Sequence, residues 1–212
     1  MKLKHPFTCL CSGPTGSGKT SLIADILEKQ LISPKPDYVL WLYAEDQPLY
    51  KKMPGVHFHQ GIPENLEDFF HTGKNNLLIL DDLMLQATSD PRITKLFSVN
   101  RSHKGLSTIC IVHNLFDQGT QMRTISLNTQ YIIVFKNPRD NQQIATLARQ
   151  MYPRKSHFLI EAFQDATKDP FGYLLIDLKP TTPEFLRIRT SITSTPIVYI
   201  HKDMQPIQPF YL

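Results

Sequence analysis

The chain has 212 residues, 41% of them hydrophobic and 20% charged, a length that buries roughly 70% of the unfolded surface and forms a core without staples. Twenty-three Lys and Arg against 19 Asp and Glu leave a net charge of +4, which permits nucleic-acid contact without requiring it. Three cysteines (Cys9, Cys11, Cys110) are too few and too odd for a disulfide framework and point to a reducing compartment.

In chain order, residues 7–12 predict a buried strand. Residues 17–31 predict a helix with Leu22, Ile23, Ile26, Leu27 and Leu31 on one stripe. Strands follow at 38–43 (YVLWLY) and, shorter, at 56–58, then a brief helix at 66–71 and a strongly apolar strand at 76–81 (NLLILD). Residues 90–103 predict a helix entered through Asp90-Pro91, with Asp as cap and Pro in the first turn. Strands at 106–112 and 131–135 precede a helix at 140–151, stopped by Pro153. A helix at 157–163 and strands at 173–177 and 185–189 complete the pattern. The Pro- and Thr-punctuated end wraps the core or extends toward a partner. Apolar runs alternating with helical patterns predict an α/β fold, a mainly parallel central sheet flanked by helices. One domain is expected, with residues 1–165 as its core and 166–212 as strands and tail packed on or extending from that core.

Gly13-Pro14-Thr15-Gly16-Ser17-Gly18-Lys19-Thr20 matches the Walker A pattern G-x-x-x-x-G-K-[ST] and lies between a predicted strand and a predicted helix, the context that gives the motif meaning. Its glycines let successive N–H groups curl into an anion nest, and the helix beginning there aims its positive end at bound phosphates. Lys19 is expected to reach the β- and γ-phosphates of ATP, and the Thr20 hydroxyl to ligate Mg²⁺.

The strand LLILD ends in two carboxylates, Asp81 and Asp82, as a Walker B segment does. Asp81 is expected to hold Mg²⁺; Asp82 either polarises the attacking water as general base or caps the following turn. The long interval from Lys19 to Asp81 contains the whole 38–43 strand. This suggests a further strand between the phosphate-loop strand and the Walker B strand, as in P-loop NTPases of the added-strand catalytic-acid (ASCE) class. Small nucleotide kinases also need an Arg-rich lid, which is absent here.

The strand at 106–112 leads into His113-Asn114, either of which could sense the γ-phosphate or orient water; Asn114 also suits a turn. Multimeric ATPases often take an arginine from a neighbouring subunit to stabilise transition-state charge. Arg101 and Arg123 are the finger candidates here, with Arg139 a third.

With these residues in place, the chain resembles the FtsK/HerA superfamily and, within it, the poxvirus-type genome-packaging ATPases of large DNA viruses, virophages, Polintons and adintovirus-like elements. The resemblance rests on GPTGSGKT at 13–20, LLILDDL at 77–83, and NRSHKGLSTICIVHNLFDQGTQMRTISLNTQYIIVFKNPRD at 100–140, and it spans residues 5–155. Where the family carries Gln, this chain has His113. The resemblance implies an ATPase forming a homo-oligomeric ring that drives double-stranded DNA into a viral capsid. Portal or vertex proteins of the capsid would be its partners, inside a host cell or on the virion. A helicase or replication ATPase is one alternative, and a nucleotide-binding structural virion component another.

Such a motor holds duplex through phosphates. Lys51-Lys52, Lys104, and Arg149 with Arg154-Lys155 are the basic clusters, each read as a solvated face ahead of a pore loop. Cys9 and Cys11 share one strand face, with Cys110 on a neighbouring strand, all expected as buried small hydrophobes. His57 and His59 share a face without the further ligands a zinc site needs, so no metal beyond nucleotide-bound Mg²⁺ is expected. No window of about 18 uncharged apolar residues occurs, which excludes a spanning helix. The basic start Met1–His5 runs straight into the glycine-rich loop rather than through a leader's apolar core. An intracellular protein with no membrane partner is expected.

Overall fold

The structure, a computed structural model, describes residues 2–83, 90, 92–93, 105–116 and 125–202. The first strand pairing is a small one: β1 (Leu3–Lys4) runs parallel to β3 (Ile32–Ser33). The main sheet is built from β2 (Thr8–Ser12), β4 (Tyr38–Tyr43), β5 (His57–Gln60), β6 (Asn76–Asp81), β7 (Leu106–Val112), β8 (Tyr131–Phe135), β9 (Tyr173–Asp177), β10 (Ile188–Thr190) and β11 (Val198–Tyr199). Their spatial order is β11-β10-β9-β8-β2-β7-β6-β4-β5. From β8 to β5 every pairing is parallel, whereas β9, β10 and β11 add on antiparallel. The sheet therefore continues through the strands expected after residue 166 and one further strand, β11: Ile188 pairs with both Ile176 and Tyr199.

Central strands buried on both faces are mostly apolar, which is why β6, β7 and β8 read as near-continuous runs, broken by buried polar groups such as Asn76, Ser107 and Thr108 toward the strand starts and Asp81 at the end of β6. Alternate residues feed two cores. On one face Leu10, Leu78, Leu80, Cys110 and Ile132 meet α2 (Gln142–Met151) and α3 (Ser156–Ala166) through Ile144, Leu147, Leu159 and Phe163. On the other, Cys9, Cys11, Ile79, Ile109 and Ile133 meet α1 (Lys19–Glu28) through Leu22, Ile23 and Ile26. Each of these buried aliphatic side chains contributes about 1.5–3 kcal/mol. Truncating Ile23, fully buried, to Ala would cost about 2–5 kcal/mol. All three cysteines are buried and free, and burial raises each thiol pKa. Cys110, however, pairs in register with Leu10 and so faces the opposite core from Cys9 and Cys11.

Two sequence expectations need correction. The predicted 17–31 helix begins only at Lys19 and ends at Glu28, because Gly18 stands at its N-cap with φ 97°. The brief helix at 66–71 is a 3₁₀ turn over Leu66–Phe69. The strand expected between the phosphate-loop strand and the acidic one is there: it is β7, and the 38–43 strand lies on the far side of β6. The 90–103 helix falls mostly outside the described residues. Its start is seen: Arg92 N–H donates to Asp90 Oδ1 at 2.9 Å, the cap interaction expected. Among the described residues no helix is long and apolar enough to cross a membrane.

Candidate nucleotide-binding site

The parallel strands end together: Ser12 lies opposite Val112, and Asp81 opposite Ile111. In open α/β sheets ligands bind at this edge, outside the carboxyl ends of the strands. The loop 13–20 leaves β2 here. Gly13 N–H donates to Val112 O at 3.2 Å and Ser17 N–H to Pro14 O at 3.2 Å. Gly16 and Gly18 take φ 78° and 97°, a left-handed backbone that a side chain would strain. No side chain caps α1, so its leading N–H groups remain available to an anion.

Lys19, 8% exposed, lies within this loop. Its Nζ donates to Gly13 O at 2.7 Å and Pro14 O at 3.0 Å, so an ammonium is held against the loop by carbonyls. Burial lowers its pKa from the ordinary 10.5, and the negative charge of Asp81 and Asp82 opposes that shift. Ser17 Oγ is buried with no hydrogen-bond partner among the described residues. An unpartnered hydroxyl, a buried ammonium and uncapped N–H groups are the donor set that a polyphosphate requires.

Across the cleft, Asp81 is 3% exposed. Its Oδ2 accepts from Thr20 Oγ1 at 3.3 Å and from the Tyr50 hydroxyl at 3.0 Å. Burial raises the Asp81 pKa, and these two donors work against that rise. A Thr hydroxyl beside a buried carboxylate, next to a phosphate-type cradle, fits hard-cation chemistry of the Mg²⁺ kind. Tyr50 belongs to a 3₁₀ turn, Tyr50–Lys52, and its ring packs on Phe58 at 4.8 Å, Tyr43 at 5.0 Å and Trp41 at 5.6 Å. Burial first, and then the Asp81 charge, push its phenol pKa up, so it stays a donor. Sequence reasoning missed Tyr50; it lies 31 positions from its partner and no local pattern marks it.

Asp82 is exposed with φ 57°. Its N–H donates to Ile111 O at 3.3 Å, and its Oδ1 lies 3.0 Å from His113 Nε2. The left-handed backbone turns this second carboxylate out of the strand and toward the tip of β7. Asn114 faces elsewhere: its Oδ1 accepts from Gln143 Nε2 at 3.0 Å. Gln143 also donates to Asp140 Oδ2 at 2.7 Å and accepts from Leu115 N–H at 2.6 Å, a tie between the β7 tip and α2 that the sequence did not disclose. The structure thus brings together the 13–20 loop, Asp81, Asp82 and His113, and it engages Asn114 with α2. Arg101, Arg123 and Lys104 lie outside the described residues. Arg139 is exposed, as are Lys51 and Lys52. A separate groove of about 1060 Å³ runs between α1 and residues 49–56 and includes no residue of the 13–20 loop.

A phosphate loop on β2, two carboxylates at the end of β6 and a strand inserted between them define the α/β fold of the P-loop ATPases, in the added-strand arrangement. No protein-family model and no curated protein sequence matches the chain. Solved structures do. The DNA-packaging ATPase B204 of Sulfolobus turreted icosahedral virus is 14% identical, with a TM-score of 0.59 over 87% of this chain and 96% of that one. B204 of Sulfolobus turreted icosahedral virus 2, a genome-packaging NTPase solved with ATPγS, is 15% identical, with a TM-score of 0.54 over 87% and 96%. The cytoplasmic domain of the Thermomonospora curvata type VII secretion ATPase EccC gives 15% identity and a TM-score of 0.51, over 83% of this chain and 24% of that one.

Proposed function

We propose that this chain is an ATP-hydrolysing motor that works as a homo-oligomeric ring and translocates double-stranded DNA into a viral capsid, with capsid portal or vertex proteins as partners. One observation carries the hydrolytic part: a buried Lys19 in an uncapped glycine loop lies near two carboxylates with different surroundings. Asp81 is buried and held by two hydroxyls, whereas Asp82 is exposed and beside an imidazole. The likeness of fold to the DNA-packaging ATPase B204 and the motifs at 13–20, 77–83 and 100–140 support the DNA-moving part.

In this reading the backbone N–H groups of residues 13–20 and the Lys19 ammonium bind the ATP phosphates. Thr20 and Asp81 would hold Mg²⁺, which when bound neutralises charge on the β- and γ-phosphate oxygens. Asp82 accepts the proton of the attacking water, and His113 orients that carboxylate. His113, at the tip of β7 and beside Asp82, is the group placed to sense the γ-phosphate end, while Asn114 is tied to Gln143 of α2. Arg101 or Arg123 acts across the subunit boundary as the finger. The test is steady-state ATP hydrolysis with and without linear double-stranded DNA, at two protein concentrations. Stimulation by DNA and a per-subunit rate that rises with concentration are expected. Hydrolysis indifferent to both would remove the motor and leave an ATPase.

A further inference from the structure

A nucleotide in the 13–20 loop has a direction. Its terminal phosphate must face Asp81 and Asp82, on the β6 side of β2, so its base must leave on the opposite side, toward β8 and β9. Because β9 runs antiparallel to β8, the start of β9 lies at the same sheet edge as the loop: Tyr173 is in register with Phe135. The turn that precedes β9 carries Phe171. This phenylalanine is 69% exposed, and its ring leans over the loop: a methyl placed on Gly18 would lie 3.2 Å from Phe171 Cδ1 and 3.8 Å from Phe135 Cε1.

Two costs are concentrated in this one residue. Its backbone sits at φ 62°, strained for an aromatic side chain, and its apolar ring faces water. Asn or Gly would relieve both. The surrounding turn nevertheless imposes the position. Thr167 Oγ1 donates to Phe163 O at 2.7 Å, Gly172 N–H donates to Asp169 O at 3.1 Å, and a Cβ on Gly172 would come within 2.5 Å of Ala166 O. On the far side, the Tyr173 ring packs on Phe135 at 5.4 Å, tilted by 46°, and its hydroxyl accepts from Ile192 N–H at 2.7 Å. An exposed aromatic ring thus stands beside the phosphate loop on a hydrogen-bonded turn, on the side where a base would emerge.

We propose that Phe171 is the platform on which the nucleobase of the bound nucleotide stacks, an inference that rests on the ATPase reading above. Stacking on one exposed face needs no hydrogen-bond readout, so it supplies affinity for a nucleoside triphosphate over a bare polyphosphate.

The experiment is calorimetric titration of the full chain with ATP and, separately, with inorganic tripolyphosphate, both with Mg²⁺. Wild type is compared with Phe171→Asn, which keeps a left-handed backbone comfortable, and with Phe171→Trp, which keeps a stacking face. Loss of ATP affinity by about tenfold or more in Phe171→Asn, unchanged tripolyphosphate affinity, and near wild-type ATP binding by Phe171→Trp are expected. Unchanged ATP affinity in Phe171→Asn overturns the proposal. An equal loss for both ligands also overturns it, since the residue would then only shape the loop. Wild-type protein that binds tripolyphosphate as tightly as ATP would sink the platform and leave the phosphate-loop reading intact. Wild-type protein that binds neither would sink both.

Discussion

The Tyr50 hydroxyl donates to Asp81 Oδ2 at 3.0 Å, the same oxygen that accepts from Thr20 at 3.3 Å. The carboxylate assigned to Mg²⁺ is therefore oriented from two elements, α1 on one side and the 50–52 turn on the other. Tyr50→Phe keeps the ring among Trp41, Tyr43 and Phe58 and removes only the donor. The Mg²⁺ concentration needed for half-maximal nucleotide binding should rise about 10- to 100-fold, as for lost supports of metal ligands, while the melting temperature changes little. A Mg²⁺ titration monitored by nucleotide binding reads this directly; an unchanged midpoint would leave Tyr50 a packing residue.

Lys19→Ala should abolish nucleotide binding, because the ammonium is the one buried cation within the 13–20 loop. Full ATPase activity in that variant would end the phosphate-loop assignment.

Asp82→Asn should bind ATP normally and lose about 10²- to 10⁴-fold in hydrolysis, the usual contribution of a general base. His113→Ala, removing the group 3.0 Å from that carboxylate, should lower kcat and leave the nucleotide Kd unchanged. Persistent turnover in Asp82→Asn would mean that another residue takes the proton.

Gly13→Ala tests the loop's closeness to the sheet. Its Cβ would stand 2.7 Å from Phe135 Cβ and 2.8 Å from Ser17 Oγ, and β8 has little freedom to retreat. A loss of about 1–3 kcal/mol is expected, seen as a lower urea midpoint at constant m-value. Unaltered stability would show that the loop shifts freely.

Stability should also fall in mild acid through His5. Burial, the largest cause, lowers its pKa below the ordinary 6.5, with the Lys179 charge adding to the effect. His5 Nδ1 lies 2.5 Å from Ser107 Oγ, which already accepts from Phe7 N–H at 3.0 Å; the Ser107 proton is thus free to donate to a neutral imidazole. The unfolded chain then binds the proton more tightly than the folded one, so this contribution is complete above about pH 6.5 and declines as pH falls toward the folded pKa. Melting temperatures of wild type and His5→Gln between pH 7.5 and 5.5 decide it, the variant being expected to show the shallower decline. Equal slopes would place the acid sensitivity elsewhere.

Much of this architecture was legible from local pattern. Strands buried on both faces are mostly apolar, and the runs at 38–43, 76–81, 106–112, 131–135 and 173–177 coincide with β4, β6, β7, β8 and β9. The phosphate loop is equally local, since its glycines, Lys and Thr act within one turn of backbone. Sequence alone therefore determined the fold class, the loop and the candidate carboxylates. Strand order is a different matter. Which strand comes between β2 and β6 depends on packing between segments far apart in the chain, and the interval before Asp81 called for an intervening strand without fixing its identity. Tyr50, Gln143 and Phe171 acquire meaning only through partners 31 and 29 positions away, or through an antiparallel strand that returns a turn to the loop. A side-chain period records which face of an element is buried; it carries no information about which distant element will cover it. That pairing, and with it the second donor to Asp81 and the ring beside Gly18, was decided by the tertiary structure.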